Sequence, residues 1–165
     1  MRLLLTLALM LFAGHVSAAP EPSILNPSGQ PIPRFVSLKY DEINVRVGPG
    51  KRYPISWVYH RQHWPVQVVE EFAHWRKILD FEGASGWVHK GALDGMRTAL
   101  IMDKPQNLYA GPDATTGPVM RAAPMVFGTL KECIPDWCRL EIQGRKGWIR
   151  KADIWGTTRE EVFSP

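Results

Sequence analysis

The run Asn44-Val45-Arg46-Val47-Gly48-Pro49-Gly50 ends a short, strand-like segment with a sharp turn. Proline fixes φ and glycine accepts a positive φ without strain, so Gly48-Pro49-Gly50 stops the strand abruptly. A related run, Asn107-Leu108-Tyr109-Ala110-Gly111-Pro112, follows at an offset of 63 residues. The recurrence indicates that the chain is organised around a repeated unit.

A second pair of motifs follows the first pair in the same order. Gly86-Trp87-Val88-His89-Lys90 recurs as Gly147-Trp148-Ile149-Arg150-Lys151, at an offset of 61 residues. Two signatures at nearly the same offset predict a duplicated unit of about 60 residues. A unit of that size buries a smaller share of its surface than a larger domain does. We therefore expect the two units to pack on each other or to be cross-linked.

The segments within each unit have the pattern of short strands. Val66–Phe72 and Trp75–Phe81 flank a tight Ala73-His74 link and predict a β-hairpin. No window keeps a helical apolar spacing over three turns. We predict an all-β chain of two tandem small barrels, each of five to six short strands. The first barrel spans residues 34–96 and the second spans residues 97–156.

The motifs of the first unit resemble those of a bacterial SH3-like domain. They are Asn44–Gly50, Tyr53-Pro54-Ile55, Trp75 and Gly86-Trp87-Val88, in that order. The region from about residue 35 to residue 156 resembles a tandem pair of such domains, similar to an exported family of unassigned function. The resemblance implies an SH3-like fold and a binding role, but it names no ligand.

The second unit departs from the pattern of the first. Tyr109 occupies the position of Arg46, and Asp113-Ala114-Thr115-Thr116 replaces Gly50-Lys51-Arg52-Tyr53. The replacement removes aromatic surface and positive charge, which stacking and anion recognition require. We therefore expect any ligand site to lie in the first unit.

The N-terminus predicts export. Arg2 precedes an eleven-residue apolar run, Leu3–Ala13, and Val16-Ser17-Ala18 supplies small residues for cleavage, so residues 1–18 are interpreted as a signal peptide. The run is too short to span a bilayer. Residues 19–33, rich in proline, are expected to form an extended linker. Residues 157–165 are expected to be a tail that frays, with docking of Glu160-Glu161-Val162-Phe163 as the alternative. The mature chain should be periplasmic or secreted.

Several functional classes find little support in the sequence. The net charge of +4 is spread along the chain without a basic run, so we expect no nucleic-acid partner. The neighbouring carboxylates Asp41-Glu42 and Glu70-Glu71 would point to opposite faces of a strand and suit no acid–base pair. His60 and His63 lack a third ligand, so no metal is expected. We predict a non-enzymatic protein without a cofactor.

Cys133 and Cys138 are the two cysteines of the chain. Four residues separate them across a predicted hairpin turn, and export would place them in an oxidising compartment. We predict a disulfide between them, with a free pair of thiols as the alternative.

Aromatic and basic side chains cluster in the first unit after the Gly-Pro-Gly turn. Arg46 either pins this turn by bonding backbone carbonyls or contacts a ligand. We expect the loop 60–63 to be exposed. The aromatic residues around this loop have two possible roles. They bind sugars or an extended peptide, or they fill the interface between the units. The candidate ligand-binding residues are Arg46, Arg52, Tyr53, Trp57, Tyr59 and Trp64.

Two functional hypotheses follow. The first is a periplasmic binding module for cell-wall peptide or glycan, with peptidoglycan as its partner. The second is an interaction protein that docks on another exported protein through the same aromatic residues.

Overall fold

The computed structural model describes residues 26–164, and the predicted signal peptide lies outside this range. The described chain is nearly all β, and within it no helix is long and apolar enough to cross a membrane. The first unit contains a 3-10 turn at Lys90–Ala92. Its seven strands are β1 (Arg34–Leu38), β2 (Ile43–Arg46), β3 (Ile55–Tyr59), β4 (Pro65–Phe72), β5 (Trp75–Leu79), β6 (Ser85–His89) and β7 (Leu93–Asp94).

The second unit repeats this plan, with a 3-10 turn at Lys151–Asp153. Its strands are β8 (Thr98–Ile101), β9 (Gln106–Gly111), β10 (Asp113–Ala122), β11 (Phe127–Cys133), β12 (Trp137–Ile142), β13 (Arg145–Arg150) and β14 (Ile154–Trp155).

Each unit forms one seven-stranded sheet whose strand pairs are antiparallel. The strand orders are β3-β2-β6-β5-β4-β1-β7 and β10-β9-β13-β12-β11-β8-β14, which are the same order in the two units. The predicted all-β tandem fold is confirmed, although each unit has seven strands rather than five or six. The two-residue strands β7 and β14 were not expected, because so short a segment carries no alternating pattern.

The duplication extends to unusual backbone conformations. The N–H of His63 donates to the carbonyl of Leu38 over 2.8 Å, and the N–H of Met125 donates to the carbonyl of Ile101 over 3.0 Å. His63 and Met125 have φ values of 60° and 66°, in the left-handed region that non-glycine residues seldom occupy. The two units therefore share a strained connection before β4 and β11.

The strand β8 joins the two units through its burial on both sides. All four of its residues are buried. Leu100 belongs to the hydrophobic core of the first unit, whereas Ala99 and Ile101 belong to the core of the second. A strand covered on both faces can be apolar at successive positions, as Ala99, Leu100 and Ile101 are. The Thr98 hydroxyl adds a hydrogen bond of 2.8 Å to the carbonyl of His63 in the first unit.

The predicted disulfide between Cys133 and Cys138 is confirmed, with an Sγ–Sγ distance of 1.95 Å. These residues are a cross-strand pair of β11 and β12, and Glu71 and Arg76 are the matching pair of β4 and β5. Glu71 accepts from Arg76 Nε over 3.0 Å. The covalent link in the second unit therefore occupies the place of an ion pair in the first.

The last residues of the chain dock on the second unit. Phe163 exchanges two backbone hydrogen bonds with Cys133, of 2.8 and 3.0 Å. The side chain of Glu161 pairs with Arg97, and Lys151 Nζ donates to the carbonyls of Arg159 and Glu161. The expectation of a frayed tail is therefore wrong for residues 157–164, which we call the C-terminal segment. The contacts join residues far apart in sequence, so composition alone could not reveal them.

Part of the predicted linker also docks. The backbone N–H and hydroxyl of Ser28 donate to Glu71 over 2.9 and 2.8 Å, and Arg34 pairs with the same carboxylate over 2.7 Å. Ile32 packs against the core of the first unit. Residues 26–33 are therefore not a free tether, because the buried carboxylate of Glu71 holds them to β4.

Candidate functional site

Arg46 holds the Gly-Pro-Gly turn closed. Its Nη1 donates to the carbonyl of Tyr53 over 2.7 Å and to the carbonyl of Lys51 over 3.2 Å. The ring of Tyr53 covers Gly48, where an added Cβ would lie 2.5 Å from Tyr53 Cδ1. Of the two predicted roles for Arg46, these contacts match the structural one, because the guanidinium faces backbone carbonyls of its own loop.

Arg52 lies on the outside of the same turn. Its guanidinium carbon is 5.2 Å from the centroid of the Tyr53 ring, and Nη2 is 3.4 Å from the Tyr53 hydroxyl. The side chain of Arg52 is exposed. The pair of Arg52 and Tyr53 therefore forms a surface stack.

Trp57 and Tyr59 lie two residues apart on β3 and share one face of it. Their ring centroids are 6.0 Å apart in an edge-to-face arrangement. Trp57 lies over Gly86, where an added Cβ would meet the Trp57 ring at 3.2 Å. Both side chains are half-buried against the core of the first unit, so they form a wall rather than a free surface.

Tyr59 and Asp80 form the polar end of this wall. The Tyr59 hydroxyl donates to Asp80 Oδ2 over 2.9 Å. Asp80 Oδ1 accepts from the backbone N–H groups of Glu82 and Ala84 over 3.0 and 2.8 Å. Burial raises the pKa of Tyr59, and the hydrogen bond to Asp80 raises it further. Tyr59 therefore remains a protonated donor, and Asp80 is occupied in holding the turn that follows β5.

Trp64 fills the interface between the two units. It is 5% exposed, and its ring meets Phe81 and Phe127 edge-to-face at centroid distances of 6.0 and 5.8 Å. Of the two predicted roles for the aromatic residues, the position of Trp64 matches the filling of the interface between the units. Trp64 follows the left-handed residue His63, and this backbone conformation accompanies a side chain packed towards the second unit.

A groove opens on the surface beside Trp64, where the two units meet. It has a volume of about 330 Å³, within the range of small-ligand sites. We call it the junction groove, and its residues are Tyr59, His60, Arg61, Trp64, Asp80, Phe81, Glu82 and Met125.

A second depression continues from the junction groove onto the second unit. It has a volume of about 470 Å³ and shares Arg61 and Met125 with the groove. Phe127 and Ile142 line its floor. The two depressions therefore adjoin each other at Arg61 and Met125.

Arg61 and Glu82 of the junction groove have no ion-pair partner, and the other carboxylate of its lining, Asp80, is hydrogen-bonded to Tyr59. The guanidinium carbon of Arg61 lies 4.5 Å from the centroid of Trp64. Within residues 26–164, neither Arg61 nor Glu82 has an opposite charge within 4.0 Å, and both are exposed. A guanidinium that lies over the ring of Trp64 and a carboxylate, both without an ion-pair partner, therefore border the groove.

The second unit lacks the aromatic wall of the first. Its strand register places Met120 and Ala122 where Trp57 and Tyr59 lie in the first unit. In the first unit the carbonyl of Trp64 accepts a hydrogen bond from the N–H of Leu38. In the second unit the carbonyl of Val126 accepts the equivalent bond from the N–H of Ile101, so Val126 occupies the position of Trp64. The aromatic side of the groove therefore comes from the first unit, and the second contributes Met125.

The six predicted residues do not form one cluster. Arg46, Arg52 and Tyr53 meet at the turn after β2, whereas Tyr59 and Trp64 line the groove. Sequence reasoning missed Arg61, Phe81, Glu82 and Met125 as groove residues. The positions of Arg61 next to the aromatic cluster and of Glu82 in a glycine turn were the available signals.

The sequence model described as bacterial SH3 domain matches the chain twice, at residues 39–95 and at residues 102–156. The chain belongs to the bacterial SH3 domain family. No curated protein matches the chain. The family assignment of this tandem SH3 protein agrees with the predicted resemblance.

Solved structures give distant matches to this tandem SH3 protein. NlpC1 from Trichomonas vaginalis is 12% identical to this chain, with a TM-score of 0.36. The match covers 74% of this chain and 45% of the NlpC1 chain. NlpC2 from Trichomonas vaginalis is 11% identical, with a TM-score of 0.35 and coverages of 74% and 48%. An NlpC/P60 family protein from Bacillus cereus ATCC 10987 is 14% identical, with a TM-score of 0.33 and coverages of 73% and 55%. The chain spans about half the length of these structures.

Proposed function

We propose that this protein is a non-enzymatic binding module that holds a short cell-wall peptide in the junction groove. The observation that carries the proposal is the presence of two charged groups without an ion-pair partner, Arg61 and Glu82, in a groove lined by Trp64 and Phe81. Such a site favours a ligand with a carboxylate for Arg61, an ammonium for Glu82 and an apolar or methyl-bearing segment between them.

Cell-wall stem peptides have this chemistry. They carry free carboxylates, small methyl side chains and, at the diamino acid, an ammonium group. A neutral glycan offers no ammonium to Glu82, so the groove favours the peptide over the glycan. The continuous depression over Met125 and Phe127 provides room for an extended chain beyond the charged pair.

The cross-link supports the proposed compartment. The disulfide between Cys133 and Cys138 is typical of proteins in an oxidising environment, which supports export to the periplasm or beyond. Peptidoglycan is present in that compartment, so the proposed ligand and the protein would meet there.

A pull-down on purified peptidoglycan sacculi tests the proposal. The mature protein should be retained, and Arg61→Gln combined with Glu82→Gln should abolish retention because both charge contacts are lost. Glu42→Gln is the matched control, since Glu42 is exposed and lies outside the groove. Retention of the double variant at the level of the parent would contradict the proposal.

A second candidate is docking on another exported protein. Met125 is 42% exposed, and it borders the apolar floor of Phe127 and Ile142. Flexible methionine surfaces suit protein partners. Absence of retention on sacculi, together with a partner whose co-purification depends on Met125 and Arg61, would favour this candidate.

A further inference from the structure

The second unit has a separate cavity of about 410 Å³, which shares no lining residue with the junction groove. It lies between the adjoining ends of β12 and β13 and the C-terminal segment. We call it the C-terminal cavity. Its wall contains the ring of Trp137 and the side chains of Arg150, Lys151 and Arg159.

Lys151 brings a buried positive charge to this cavity. The residue is 8% exposed, and its Nζ donates to the backbone carbonyls of Arg159 and Glu161. In the described part of the chain no carboxylate oxygen lies within 4.0 Å of Nζ. Carbonyl dipoles solvate an ammonium group but do not cancel its charge, so the cavity keeps a positive potential.

Two guanidinium groups add to this potential at the mouth of the cavity. Arg150 and Arg159 are exposed, and neither is paired with a carboxylate within residues 26–164. The guanidinium carbon of Arg150 lies 5.2 Å from the centroid of Trp137, which orients it. Asp136 is the carboxylate of the lining, so three cations and one anion leave a formal charge of +2.

We propose that the C-terminal cavity binds an oxyanion group, phosphate or carboxylate, of a sugar-bearing ligand. The guanidinium forks of Arg150 and Arg159 provide paired donors for such a group. Trp137 provides a ring on which the face of a sugar can stack. The C-terminal segment completes the site, because it supplies Arg159, Thr157 and Thr158 to the lining. The Thr157 hydroxyl itself donates to Glu161 Oε2 over 2.9 Å.

The first unit does not reproduce this site. Trp75 pairs with His89 across the sheet in the same register in which Trp137 pairs with Arg150. His89 therefore replaces Arg150, and the ring of His89 packs against Trp75 at a centroid distance of 5.7 Å. The anion site is thus a property of the second unit, in contrast to the expectation that only the first unit carries a site.

A titration of the mature protein with inorganic phosphate and with methyl glucuronate, followed by proton–nitrogen NMR, tests this proposal. Sodium chloride at matched ionic strength is the reference. We expect saturable shifts of the Trp137 indole N–H and the Lys151 amide. Arg150→Gln and Arg159→Gln should each weaken binding by about tenfold. Arg121→Gln, which removes an exposed guanidinium from β10, should have no effect.

Each outcome decides the proposal. Saturation by phosphate alone assigns a phosphorylated ligand, and saturation by glucuronate alone assigns a carboxylated one. Equal shifts with sodium chloride, or equal weakening by Arg121→Gln, would refute a specific site. Glu82→Gln should leave the phosphate titration unchanged, so failure here is distinguishable from failure of the junction groove.

Discussion

Replacement of Trp64 by alanine should destabilise both units together, because its side chain lies in their interface. Trp64 is 5% exposed and contacts Phe81 and Phe127 edge-to-face. A buried tryptophan removes roughly 150–250 Å² from water. At about 25 cal/mol per Å² this corresponds to about 4–6 kcal/mol. Alanine retains part of that burial, so we expect a loss of about 3–5 kcal/mol in the free energy of unfolding.

Denaturant unfolding followed by tryptophan fluorescence and circular dichroism measures this loss, and Tyr40→Ala is the control. Tyr40 is 52% exposed, so its replacement should change the free energy of unfolding by about 0.5 kcal/mol or less. A double-mutant cycle with Phe127→Ala should give a coupling of about 0.5–1.5 kcal/mol. A loss below about 1 kcal/mol for Trp64→Ala, or strict additivity in the cycle, would refute the proposed interface.

Three further predictions concern the connections that hold the ends of the chain. Burial alone would raise the pKa of Glu71, but hydrogen bonds from Ser28 and Arg34 outweigh burial and lower this pKa in the folded protein. The ionised carboxylate of Glu71 therefore stabilises the fold at a pH above its pKa in the unfolded chain. This stabilisation is lost as the pH falls through its pKa in the folded protein. Glu71→Gln should therefore flatten the acid limb of stability against pH, and an unchanged limb would contradict this. Reduction of the disulfide should lower the free energy of unfolding, measured with denaturant, by about 2 kcal/mol. An unchanged free energy of unfolding would show that the hairpin does not need the disulfide. Phe163→Ala should cost about 1–3 kcal/mol and increase hydrogen exchange at Cys133, and unchanged exchange would show that the C-terminal segment is held elsewhere.

The fold was predictable because its signals are local. The turn after β2 is indicated by Gly48-Pro49-Gly50 alone. The strands β6 and β13 are likewise indicated by a glycine directly before Trp87 and directly before Trp148. The disulfide was predictable for the same reason, since Cys133 and Cys138 flank one hairpin. The docking of residues 26–33 was not predictable, because Ser28 and Glu71 meet only after the sheet has formed.

The candidate site was predictable only in part. The aromatic residues Tyr59 and Trp64 were singled out because they flank the loop 60–63. The burial of Trp64 depends in part on Phe127 of the second unit, and the sequence does not reveal how the second unit is placed. Arg61 and Glu82 become partners of one groove only because β3 and the turn after β5 end on the same side. Met125 joins them through its left-handed backbone conformation, for which methionine gives no sequence signal.

Calorimetric titration of the mature protein with a soluble cell-wall stem peptide tests the central claim most directly. The peptide contains the diamino acid, and a matched peptide has alanine at that position. We predict saturable binding of the first peptide and binding weaker by about tenfold for the second, because the ammonium contact with Glu82 is lost. Glu82→Gln should weaken the first peptide to the level of the second and leave the second unchanged. Equal affinity of the parent protein for the two peptides, or no effect of Glu82→Gln, would contradict the account.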